Sequence, residues 1–157
     1  MMTKCPAEAK LGDTLLSLEQ ALLSPLVGGE IEPWIGNVQQ HAATLSVDIT
    51  TFSRTVLHVQ YAEIARNAPE LSKQLTKLTE ADGLILEEAS RFLEQLHKFA
   101  NVINEADPQK RETKLEPHRQ RVVDLGLALI MSVRKQQAES NTWFNEAQFR
   151  DIGNAAD

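Results

Sequence analysis

From Ile35 onward the apolar residues Ile35, Val38, Ala42, Leu45, Ile49, Phe52, Val56 and Val59 recur in steps of 3-4-3-4-3-4-3 without a slip. A second run, Leu71, Leu75, Leu78, Ile85, Ala89, Phe92, Leu96, Phe99 and Ile103, keeps the same alternation once position 82 is counted. Spacing of this kind puts one apolar stripe along each of two long helices, a seam that must pack against partner helices. At ~1.5 Å per residue each helix would run about 50 Å. No alternating β-branched run bounded by turn residues occurs, so no strand is expected.

Proline and glycine divide the rest. Pro25 with Gly28-Gly29 closes a first helix over about 13–24, whose Leu11, Leu15, Leu18 and Leu22 step 4-3-4 and whose stripe Leu16 and Leu23 widen. The second helix begins near Pro33, the third near Pro69 and the fourth near Pro108, because proline suits a first turn and not a helix interior. Asp107 is placed to cap the fourth, which Pro117 should interrupt or kink. Beyond Pro117 come Val122, Leu125, Leu129, Ile130, Val133, Phe144 and Ala147. Between Val122 and Val133 the helix is apolar nearly all round, so it is either the most buried of the set or covers a homodimer contact. Short connections then give one all-α domain over 1–157, an up-down-up-down antiparallel four-helix bundle with a flexible 1–10 and a C-terminal tail over 149–157.

The net charge of −6 and the absence of a Lys/Arg-rich patch argue against nucleic acid. The longest apolar run, Leu125–Met131, is far below the ~20 residues of a membrane span. Cys5 is the only cysteine and the first ten residues lack the apolar stretch of a secretory signal, so a cytoplasmic protein is expected. Val27-Gly28-Gly29 reads as a turn, not a phosphate loop.

Asp82-Gly83 looks locally like a turn. The halves on either side nevertheless share one heptad phase, so the helix should run through, at about 1 kcal/mol for glycine relative to alanine. Asp82 then falls on the seam, as does Glu63, four residues after Val59. A buried carboxylate must be paired, hydrogen-bonded, protonated or metal-bound. The two should stand ~13 Å apart along the bundle, too far for an acid/base pair. Arg54, or Gln136 from the fourth helix, is the expected partner of Asp82, and Lys73 or solvent that of Glu63. Glu94 and His97 form the one Glu-x-x-His, on the outer face. His41, flanking its seam beside Ala42 with Asp48 two turns on, and His118 are expected to pack or cap, and His58 to be exposed. No residue is marked as catalytic.

The Leu-rich first helix, "HVQYAE" (58–63), "APELSKQLTKLTEAD" (68–82) and "WFNEAQFRDIG" (143–153) together resemble the hemerythrin-like helical bundles. The resemblance implies a non-haem di-iron centre held by histidines and carboxylates, and in some members oxygen binding or sensing. The ligand pattern departs from it. His58 is followed one turn later by Ala62, with Glu63 one residue late; Asp82 stands where a histidine is implied; the fourth helix reads Lys135-Gln136-Gln137-Ala138-Glu139. His58, Glu63 and Asp82 survive as a fragment of a metal site. The reading that follows is a non-enzymatic, metal-free bundle that binds a protein or small ligand. The alternative is residual iron binding through those three residues, with His41 as a fourth.

Overall fold

The computed structural model describes residues 5–25, 31–105 and 107–156. They form helices, with no strand among the described residues. Helix α1 spans Pro6–Leu23, α2 Ile31–Phe52, α3 His58–Asn67, α4 Ser72–Ile103 and α5 Pro108–Ala156. Two short departures interrupt them: a π-turn at Ser53–Leu57 joins α2 to α3, and a 3-10 turn at Pro69–Leu71 opens α4. Among the described residues no helix is long and apolar enough to cross a membrane.

The α4 seam is as expected. Leu71, Leu78, Ile85, Ala89, Phe92, Leu96, Phe99 and Ile103 are buried, and the helix passes through Asp82-Gly83 without a break. Three other boundaries differ. α1 starts at Pro6 as its first-turn proline, so 6–10 belong to a helix and not to a flexible arm. α5 continues over the expected tail to Ala156. It also continues through Pro117. That residue and Thr113, whose carbonyl loses a partner to it, both lie on the exposed side, where water substitutes for the missing bond. Asp107 does cap this helix, its carboxylate accepting the Gln109 N–H at 3.0 Å. The turn expected at Val27-Gly28-Gly29 lies outside the described residues.

Two apolar cores result. The larger joins α1, α2, α4 and α5 around Leu15, Leu18, Val38, Phe92, Phe99 and Ile130. Here α5 comes close to its neighbours at Gly126: a Cβ on that residue would stand 2.5 Å from Leu22 Cδ1 and 3.0 Å from Phe92 Cζ. The smaller core, Ile64, Ala68, Leu71, Leu78 and Ala147 with Tyr61, Trp143 and Phe144, contains no residue of α1. At 18 residues α1 is ~27 Å long, against ~73 Å for the 49 residues of α5, so it flanks only part of the molecule. Of the apolar stretch in α5, Val122, Val123, Leu129, Ile130 and Val133 are buried, while Ala128 and Met131 face outward, Met131 at 71% exposure.

Candidate functional site

The π-turn decides which residues of the second rod face inward. Up to Val56 the seam runs as read from the sequence. A π-turn holds one residue more than the α-helical turn it replaces, which rotates everything after it by ~100°. Leu57, Tyr61, Ile64 and Ala68 therefore take over the seam, in 4-3-4 steps of their own phase. Val59, expected inside, is 54% exposed. Glu63 leaves the seam as well. Its carboxylate is half-exposed, 3.0 Å from Arg66 and accepting from Gln148 Nε2 at 2.8 Å, rather than meeting Lys73.

What takes the place of the expected Glu63 is Tyr61, which meets Asp82 from α4 and Gln136 from α5. Gln136 is 4% exposed, and its Nε2 lies 2.6 Å from Asp82 Oδ1, 2.8 Å from the Leu78 carbonyl and 2.8 Å from the Tyr61 hydroxyl oxygen. The tyrosine hydroxyl donates in turn to the Asp82 carboxylate. Burial pushes the Asp82 carboxyl above the usual range of its kind, and the bonds from Tyr61 and Gln136 pull it partly back. Tyr61 is driven far above its ordinary value, first by burial and then by the charge and hydrogen bond of Asp82, so it stays protonated. Among the described residues Asp82 has no ion-pair partner. Arg54, the other expected partner, is exposed.

A cleft opens beside this cluster at the π-turn. Leu11 of α1, Ile49 and Phe52 of α2, Leu57, Ile85 and Leu86 of α4, and Val133 of α5 form its apolar wall; Ser53, Asp82, Gln136 and Gln137 supply the polar groups. Its cavity volume is about 30 Å³. It sits where α1 gives out and the four-helix core hands over to the smaller one.

Asp82, Glu63 and His58 are not brought together. His58 is exposed, Glu63 is tied to Arg66 and Gln148, and no three His, Cys, Asp or Glu side chains among the described residues converge as metal ligands. Around Asp82 the nearest groups are an amide nitrogen and a protonated phenol, which donate hydrogen bonds rather than electron pairs. This donor set does not fit a di-iron centre. Nor does it form an acid/base pair, since Tyr61 holds its proton through the neutral range.

Among the other carboxylates, Asp48 and Glu88 have structural partners on neighbouring helices. Asp48, 3% exposed, accepts from Thr14 Oγ1 at 2.5 Å and lies 3.3 Å from Lys10 Nζ, joining α1 to α2. Glu94 and His97 are exposed, as their outer-face position requires, and His41 is half-buried. Glu88 is half-buried and accepts from Ser132 Oγ at 3.0 Å, so it is less solvated than its neighbour Glu87. His118 is half-buried, its Nδ1 lacks a partner, and burial with the charges of Arg121, Lys114 and Lys98 lowers its proton affinity. Further along α3, Ser140 Oγ donates to Gln60 Oε1, and Gln60 Nε2 to Asn141 Oδ1 at 3.2 Å.

Tyr61 is the site residue that heptad counting passes over. The signal was present in the adjacent pair Val56-Leu57, where one apolar phase ends and the next begins. Comparison of the chain with known protein families, with curated proteins and with solved structures finds no match.

Proposed function

We propose that this chain is a non-enzymatic binding protein of hemerythrin-like, up-down-up-down design, in which Tyr61, Asp82 and Gln136 stand in place of a di-iron site and the adjoining cleft takes a small ligand. The observation that carries this reading is a carboxylate, with no ion-pair partner among the described residues, set into an apolar cleft. A concave apolar site with a few convergent polar groups is the usual form of a small-molecule site. The topology is supported by the order of the contacts. Asp82 and Glu88 meet Gln136 and Ser132, so α4 and α5 run in opposite senses. Gln60 and Glu63 meet Ser140 and Gln148, which supports α3 and α5 running in the same sense.

The test is the full chain purified from iron-supplied medium, analysed for metal content and by visible absorption. The expected result is no stoichiometric iron and no oxo-bridged absorption band. Stoichiometric iron with such a band would overturn the metal-free reading in favour of iron held through Asp82, Glu63 and His58.

A further inference from the structure

The ligand that the cleft fits is defined by what Asp82 has and lacks. A carboxylate offers about four acceptor positions. Gln136 and Tyr61 fill two of them, and both are neutral donors, so they satisfy lone pairs without compensating the charge. A half-buried charge left in that state is stabilised by a cation that brings its own donors. The surroundings set the remainder of the ligand. Leu57, Ile85, Leu86 and Val133 present hydrocarbon beside the carboxylate, and Ser53 and Gln137 are the other polar side chains of the lining. The volume of about 30 Å³ is about one fifth of the ~150 Å³ cavity that accepts benzene. A ring or a branched head group is therefore too large for it, and an unbranched chain enters only by its end.

We infer that the cleft binds a linear primary alkylammonium ion, its N–H groups on Asp82 and its chain along the apolar wall formed by Leu57, Ile85, Leu86 and Val133. The inference rests on the reading of this cleft as the ligand site. A metal cation is a poorer occupant, because the Gln136 amide donates toward Asp82 Oδ1 and the wall offers few further oxygens. An anion is opposed by the carboxylate itself.

The experiment is amide chemical-shift titration of the full-length ¹⁵N-labelled protein at neutral pH and constant ionic strength. The probes are n-butylammonium chloride, n-butanol and sodium butyrate, each also run on Asp82→Asn. n-Butylammonium should move amides of Ser53–Leu57 and those around Asp82 and Gln136, and bind about tenfold more tightly than n-butanol. In Asp82→Asn the two probes should come within about twofold. Equal affinity of the wild-type protein for n-butanol and n-butylammonium would overturn the choice of a cation and leave the cleft as a ligand site. Preference for butyrate would overturn it too. If no probe moves these amides, the small-ligand reading itself falls. The comparison of probes on the wild-type chain stands whether or not the variant folds.

Discussion

Removal of Thr55 from the π-turn is the most searching perturbation of this molecule. Thr55 is exposed and its hydroxyl bonds only the Thr51 carbonyl one turn back, so no tertiary contact is lost with it. Its absence lets Ser53–Leu57 close into ordinary α-helix and turns α3 by ~100°. Leu57 and Ile64, exposed by 4% and 1%, then rotate out of the two cores. At about 1.5–3 kcal/mol for each buried side chain of this size, roughly 3–6 kcal/mol is lost. Val59 turns inward and returns about 2 kcal/mol, while the bonds of Tyr61 to Gln136 and of Gln60 to Ser140 are broken at about 1 kcal/mol each. The net loss is on the order of 3–6 kcal/mol, a fall in Tm of roughly 10–20 °C for a chain of this size. Urea unfolding followed by far-UV circular dichroism measures it, with Thr55→Ala, which keeps the turn, expected within about 0.5 kcal/mol of wild type. An unchanged or higher midpoint on removal of Thr55 would refute the claim that the extra residue sets the phase of α3.

Two identical substitutions should move stability in opposite directions. Gly83→Ala meets open space in a helix interior and should stabilise by about 1 kcal/mol; Gly126→Ala, wedged against Leu22 and Phe92, should lose up to about 2 kcal/mol after its own helical gain, and equal effects in parallel denaturant titrations would contradict the packing described. Asp82 binds its proton more tightly when folded, because burial raises its pKa, so its charged form weakens the native state. The contribution is favourable below the unfolded value of ~3.9 and is lost as pH rises through the raised native value. Asp82→Asn should therefore gain stability relative to wild type as pH rises through that window, and an advantage independent of pH would contradict it.

The parts of the fold legible in the sequence are those where one rule operates alone. In α4 the apolar residues from Leu71 to Ile103 share a single phase, and that phase was enough to carry the helix through Asp82-Gly83 against the local turn signal. Asp82 was thereby placed on the seam, and Gln136 was within reach as its partner. Counting failed where the backbone changes its period. Ser53–Leu57 contains no glycine or proline to mark a π-turn, and an unbroken count carried Val59 and Glu63 inward while Tyr61 was passed over. The start of α1 is not legible in the apolar pattern because Pro6 to Lys10 offers almost no stripe, although proline at a first turn marks a helix start. Pro117 does not end the helix, because on an exposed face of a long helix a missing hydrogen bond costs less than breaking the packing on either side.

Long leucine seams have a weakness that the buried polar groups correct. Because each seam repeats every seven residues, two helices can slide past one another by ~10 Å and find an almost equally good fit. The Thr14–Asp48 bond ties α1 to α2 at one height, and further along the Tyr61–Asp82–Gln136 cluster and the Gln60–Ser140 bond tie α3, α4 and α5. Any slide would leave several of these groups facing hydrocarbon at once, at about 1–3 kcal/mol each. They work as notches of unequal spacing, and they fix the axial alignment that the apolar residues alone leave undecided.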